Sequence, residues 1–294
     1  MRYRDEDLRH ATSHRGCCLS RLLTFLLLLA ILAYPFLEPF LLETETVFLT
    51  SDALSKDIGQ LRIVYLSDIH EGSFYSHGRV QELATKINAL NADLVLLGGD
   101  YAEDSDSAIA FFQHLPTLRS RYGVYGVLGN HDRTVPESNL NLLRSAMVSA
   151  GVMPLVNDVA QVRIGHSAVY LAGIDDVNNG WPDITSVAAR VRQSDYVIFL
   201  SHSPEAISDA QRAKDADGRT GWFDLGLFGH THGGQIAGLG SLLGISKVSA
   251  RYEKGWVREN RVDMLISRGV GTSILPIRFL RRPQIHLITI RSGQ

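Results

Sequence analysis

The chain has 294 residues, enough for one large domain or two of ordinary size and ample for a buried core. Apolar residues make up 45% and charged residues 20%, which excludes intrinsic disorder, collagen-like repeats and a polytopic membrane protein. With 29 Lys and Arg against 31 Asp and Glu the net charge is −2, so no broad basic surface offers nucleic acid the phosphate contacts it needs.

Two cysteines, Cys17 and Cys18, sit side by side near the N-terminus. They exclude a disulfide framework, thiolate-held zinc and iron–sulfur clusters from the folded part, so any metal must use imidazole and carboxylate. Inert thiols are their ordinary reading, and lipidation beside the apolar run is the alternative. Residues 22–42 come next as 21 mainly apolar residues with one charge, the length that spans a bilayer. Pro35, Glu38 and Pro39 interrupt the second half, leaving a signal-peptide core or an interfacial helix as alternatives. No small-residue cleavage site succeeds it, so the segment is expected to be a retained anchor. Arg2, Arg4, Arg9, Arg15 and Arg21 precede it, whereas acidic residues dominate behind it. The positive-inside rule then places residues 1–21 in the cytoplasm and the main domain outside it.

Residues 43–60 read as a polar connector and 61–294 as the main domain. Short apolar runs at 61–66, 94–97, 122–128, 169–174, 196–200 and 225–228 read as buried strands. Helical patterns at 80–90, 107–118, 140–150, 184–191 and 204–213 alternate with them, the grammar of an α/β fold. Closing strands are expected at 262–266 and 285–290, after a Gly-rich loop over 233–244.

The residues at the end of each run are more telling than the runs themselves. The first run leads into Asp68-Ile69-His70, the second into Gly99-Asp100, the third into Gly129-Asn130-His131-Asp132, the run at 196–200 into Ser201-His202 and the last into Gly229-His230-Thr231-His232. Sites in open α/β sheets form beyond the carboxyl ends of strands, so five separated segments are expected to meet in one crevice. The i, i+2 spacing of Asp68 with His70, and of His230 with His232, puts both side chains of each pair on one side if the segment is extended. Singly, each residue is more often a cap or turn residue; jointly, five such endings are hard to ascribe to chance, since His10, His14, His77, His114, His166 and His286 show no such pattern.

This ordered series resembles the motif set of the calcineurin-like metallophosphoesterases over residues 61 to about 235. The tail Ser267-Arg268-Gly269-Val270-Gly271-Thr272-Ser273 with Pro276-Ile277-Arg278-Phe279 resembles their membrane-associated bacterial branch, which includes phosphodiesterases and UDP-2,3-diacylglucosamine hydrolases. The resemblance implies a sandwich of β-sheets flanked by helices and a dinuclear site. Asp68, His70 and His232 would hold one metal, Asn130, His202 and His230 the other, with Asp100 bridging. Two divalent or trivalent ions, Mn, Fe or Zn, suit these thiolate-free ligands. His131 would face the leaving group, and Asp132 would orient its ring. Hydrolysis of a phosphodiester or pyrophosphate, of a lipid or cell-envelope metabolite, is the expected activity. A tethered phosphomonoesterase and a non-catalytic metal-binding scaffold are the rivals. UDP-linked lipid precursors are cytoplasmic, which conflicts with a domain outside the cytoplasm. Arg133 and Arg268 are further candidates for phosphate, with ordinary solvated arginines as the simpler reading. Trp222, Trp256 and Tyr252 read as packing residues, and His166 and His286 as histidines packed in strands.

Overall fold

The computed structural model describes residues 5–134, 137–240, 242, 244 and 248–293. Arg2 and Arg4 of the basic flank, and the side chains of Cys17 and Cys18, lie outside the described residues. Helix α1 (Asp5–Leu37) comes first, and a 3-10 turn at Glu38–Phe40 ends it. Within this stretch Ser20–Phe40 is long and apolar enough to cross a membrane, and only 11% of its most apolar window is buried by the protein.

In chain order the rest comprises β1 (Glu43–Ser51), β2 (Gln60–Leu66), α2 (His77–Ala89), β3 (Leu94–Leu97), α3 (Ser105–His114), β4 (Val124–Gly126), α4 (Glu137–Ser149), β5 (Val152–Pro154), β6 (Asp158–Ile164) and β7 (Ser167–Gly173). Next come α5 (Ile184–Ala188), β8 (Tyr196–Leu200), α6 (Ile207–Arg212), β9 (Leu225–Phe228), β10 (Gly255–Glu259), β11 (Val262–Ile266) and β12 (Gln284–Ser292). They make two six-stranded sheets, ordered β1-β12-β2-β3-β4-β5 and β10-β11-β9-β8-β7-β6.

Three apolar layers fix how the sheets stack. Along β2, Leu61, Ile63 and Tyr65 point between the sheets, where they meet Leu171, Ile198 and Leu227. The alternate residues Val64 and Leu66 face outward onto Val80, Leu83 and Phe111 of α2 and α3. On the far side Val197 and Phe199 of β8 pack under Val187, Ile207 and Trp222. Period-two alternation of large apolar residues on both faces thus builds a helix-sheet-sheet-helix sandwich. The expected α/β sandwich with an N-terminal apolar helix is what the chain forms.

The registers level the strand ends. Leu66 pairs with Leu97 and Leu97 with Gly126 in the first sheet, while Leu200 pairs with Leu227 and Phe228 with Ile266 in the second. The carboxyl ends of β2, β3, β4, β8 and β9 therefore open on one rim.

Residues 43–60 are not merely a connector. Residues 43–51 form β1, parallel to β12 from Glu43–Gln284 through Ser51–Ser292. Its alternating Glu43-Thr44-Glu45-Thr46 start looks polar because an edge strand buries only one face. The run at 122–128 pairs as a strand only over Val124–Gly126, and β5, β6 and β10 join it as short or edge strands that hydrophobic runs do not reveal. His166 lies in the turn between β6 and β7 rather than in a strand, while His286 is indeed buried in β12.

Candidate metal centre

The candidate ligands sit just past the strand ends, where the backbone leaves the sheet sharply. Asp68, His70, Asp100, His230 and His232 have φ of 54°, 48°, 56°, 68° and 51°, all in the left-handed region that side-chain-bearing residues seldom occupy. The two i, i+2 pairs are therefore not extended, contrary to the alternation argument. Left-handed turns, not strand pleating, aim their side chains at a common centre. The chain can fold this tightly because glycines let backbones meet. Gly99 has φ 89°, and a Cβ there would lie 2.5 Å from the Gly129 nitrogen. A Cβ on Gly129 would in turn strike the Asp100 carboxylate.

Seven polar side chains converge as a result. His70 Nε2 lies 3.2 Å from His232 Nε2 and 3.4 Å from Asp100 Oδ2. His202 Nε2 lies 3.2 Å from both Asp100 Oδ2 and Asn130 Oδ1. His232 Nε2 is 3.7 Å from Asp68 Oδ1. Asp68-His70-His232 and Asp100-His202-His230 thus form two neighbouring triplets, the ligand atoms within each lying no more than 4.8 Å apart, and Asp100 approaches members of both. All seven expected positions come together.

Surrounding bonds fix several of these groups. His202 Nδ1 donates to the Gly98 carbonyl at 2.8 Å, which fixes the ring and turns Nε2 inward. Asp68 accepts from Ser67 Oγ and from the His230 amide. Asn179 Nδ2 donates to the Asn130 carbonyl at 2.8 Å. His131 donates its backbone amide to Asp100 Oδ1 at 2.9 Å and its ring Nδ1 to the Glu103 carbonyl at 2.8 Å. That leaves its Nε2 on a ring lining a cleft of about 490 Å³, together with Asp100, Asn130, Asn178, His230 and His232.

Asp132 does something other than orient the His131 ring. Its carboxylate, 1% exposed, accepts the backbone amides of Asp100 at 2.7 Å, Gly129 at 2.8 Å and Tyr101 at 3.1 Å. It ties together the two loops that deliver Asp100 and Asn130, and acts on His131 only through the loop that carries it.

Burial dominates the electrostatics. It raises the Asp68 carboxyl to about 6, although His202 and the Ser67 hydroxyl oppose the shift. It lowers the His70 ring to about 4 and, with the charges of His70 and Arg278, holds His232 well below its ordinary value. Burial also opposes the charged forms of Asp100 and His202. Their mutual attraction wins, pulling the Asp100 carboxyl far down and the His202 ring far up. Neutral imidazoles nose to nose beside ionised carboxylate are a set of lone pairs without enough protons to share. A divalent cation fits it, and the absence of thiolate favours borderline ions over Cu(I).

A profile of the Calcineurin-like phosphoesterase family matches residues 61–234, which holds all of these ligands. The chain belongs to this family. Among curated relatives, the metallophosphoesterase YkuE of Bacillus subtilis is 27% identical over 267 residues, covering 87% of this chain and 88% of its own. YkoQ of the same organism is 28% identical over 280 residues, covering 89% and 97%. A zebrafish (Danio rerio) transmembrane protein with metallophosphoesterase domain is 27% identical over 256 residues, covering 82% of this chain and 56% of the relative. As a member of the family, the protein is a metal-dependent phosphoester hydrolase with an N-terminal helix fit for a membrane.

Other expectations fare differently. Arg133 is not solvated: it is 8% exposed and paired with Asp175 at 3.0 Å. Arg268 binds Glu43 at 2.9 Å. Trp222 is core, its indole donating to the Ala210 carbonyl, and Tyr252 donates to Glu259. His286 packs against Glu45.

Sequence reasoning named Arg278 only within the tail and gave it no role. It is fully buried, donates to the carbonyls of Gly271, Arg268 and Arg281, and lies 3.4 Å from His232 Nδ1. Burial lowers its guanidinium to about 9. Glu38, also fully buried, accepts the amides of Leu280 and Arg281 at 2.7 and 2.6 Å and so braces the same loop from the end of the apolar helix. The signal for both was a charged residue inside an apolar stretch, Glu38 in 22–42 and Arg278 in Pro-Ile-Arg-Phe.

Proposed function

We propose that the protein is a membrane-anchored dinuclear-metal phosphoesterase that cleaves a phosphodiester or pyrophosphate bond. Asp68, His70 and His232 would hold one ion, Asn130, His202 and His230 the other, with Asp100 placed to serve both. The observation that carries this reading is the position of the Asp100 carboxylate, 3.4 Å from His70 and 3.2 Å from His202, between the two triplets. When bound, Mn, Fe or Zn ions at such a site supply Lewis-acid polarisation of phosphoryl oxygens and a water acidic enough to ionise near neutrality.

The chain's own residues supply the rest. His131 has Nδ1 committed to Glu103, so it is from Nε2 of the doubly protonated ring that a proton would pass to the departing oxygen. Asp132 keeps the Asp100 and Asn130 loops in register, and Asn179 fixes the latter from the opposite sheet. A cleft of about 490 Å³ holds more than a lone phosphate group, which favours a diester. The N-terminal apolar helix supports a bilayer anchor, and the arginines before it support a cytoplasmic N-terminus with the domain outside. A lipid or cell-envelope metabolite is the substrate this placement favours. The test is hydrolysis of bis-p-nitrophenyl phosphate against p-nitrophenyl phosphate after chelation and readdition of Mn²⁺, Zn²⁺ or Fe²⁺. Metal-restored preference for the diester supports the reading; preference for the monoester identifies a phosphomonoesterase, and silence in a folded, metal-loaded sample a scaffold.

A further inference from the structure

Two stretches of chain run from the metal cleft to the foot of α1. One leads from His232 to Ile236, the other from Ser273 and Ile274, on the cleft rim, to Ile277 and Phe279. Gln235 straps them together, its Oε1 accepting the Ser273 amide at 2.8 Å and its Nε2 donating to the Leu275 carbonyl at 2.9 Å. Beyond the strap, Ile236 and Phe279 pair as a short parallel bridge, and the Arg278 amide donates to the Pro35 carbonyl at 3.0 Å. Between these stretches and α1 lies a groove of about 250 Å³, lined by Ile31, Leu32, Pro35, Ile236, Ile277 and Phe279. Every lining residue is apolar, whereas the adjoining cleft presents Asp, Asn and His.

One wall of the groove belongs to Ser20–Phe40, the segment fit to cross a bilayer. The open side of the groove therefore faces the same apolar medium as that segment. Ile274, on the cleft rim and 64% exposed, and Leu280, next to Phe279 and 58% exposed, add further exposed apolar side chains. In water such an edge is unfavourable; against lipid it is not.

We propose that this groove holds the hydrocarbon chain of a membrane lipid whose phosphoester lies in the metal cleft, with Ile274 at the junction. The inference rests on the phosphoesterase reading above and narrows its substrate to an amphiphile drawn laterally from the bilayer. The apolar helix then forms part of the substrate site as well as tethering it.

The test uses the full chain in detergent and a series of alkyl p-nitrophenyl phosphate diesters from ethyl to decyl. Each methylene that enters the groove should raise kcat/KM, by up to about fourfold where burial is complete. Ile277→Ser and, separately, Ile236→Ser should flatten that dependence on chain length. Partition into detergent micelles affects wild type and variants alike, so the difference between their slopes reports the groove. Thermal denaturation shows whether each variant is folded. Equal slopes in wild type and both folded variants overturn the groove assignment. Failure of the wild type to cleave any diester, bis-p-nitrophenyl phosphate included, instead overturns the diesterase reading on which it rests.

Discussion

Replacing Asp132 separates two roles that its position beside His131 confuses. Three buried amides, of Asp100, Tyr101 and Gly129, donate to this one carboxylate. An orphaned buried amide costs about 1–3 kcal/mol, so Asp132→Ala, with one amide rescued by entering water, is expected to lose about 4 kcal/mol. Asp132→Asn keeps an oxygen where Oδ2 stands, and with it the Asp100 and Gly129 bonds, but turns an NH₂ towards Tyr101. Against that cost stands relief of charge, since burial and the neighbouring Asp100 raise this carboxyl to about 7. The asparagine variant should therefore lie within about 1 kcal/mol of wild type near neutral pH. Because the folded carboxyl holds its proton more tightly than the unfolded one, wild type loses stability relative to the variant as pH rises from about 4 to about 7, with no further change above. Urea denaturation of metal-depleted protein at several pH values measures both effects. An alanine variant within about 1 kcal/mol of wild type, with metal uptake intact, would refute the idea that Asp132 clamps the two loops.

Other perturbations probe the neighbouring parts. His131→Ala should reduce diester turnover by about 10²–10⁴ while metal content stays at the wild-type level, as measured by elemental analysis; lost metal would make His131 a ligand instead. Arg278→Met removes the guanidinium that holds three carbonyls and touches His232, and is expected to weaken metal affinity by about 10–100-fold. Competition with a chelator reads that change. Metal retention should fall with acidity below about pH 6, where a proton competes for the Asp68 carboxylate, and only near pH 4 for His70. Retention unchanged from pH 7 to 5 would contradict it. Deleting residues 1–37 should leave a cooperatively folded domain. Deletion through Ser51 uncovers β12 and should not, as circular dichroism melts would show.

Much of the site was legible because its chemistry is concentrated at strand ends. Five apolar runs each stop at a Gly, Ser, Asp, Asn or His cluster, and the fold brings those stops to one rim. The reason they converge was not legible, because positive φ at Asp68 or His230 leaves no mark in residue spacing. Nor was β1, whose alternating Glu and Thr resemble a solvated linker until β12 supplies a partner from the far end of the chain. Arg133 and Asp175 illustrate the same limit, since a buried ion pair between residues 42 positions apart looks, in sequence, like two surface charges. The Glu38 carboxylate appeared to weaken a membrane span, yet its role is to accept two amides of the loop behind His232.

The measurement that bears most directly on the metal centre is elemental analysis of the full chain and of Asp100→Asn, each loaded with Mn²⁺ or Zn²⁺ and freed of excess, with bis-p-nitrophenyl phosphate turnover on the same samples. A bridging Asp100 predicts two ions per wild-type chain, with both occupancy and turnover lost together in the variant. Two ions and undiminished turnover in Asp100→Asn would contradict it.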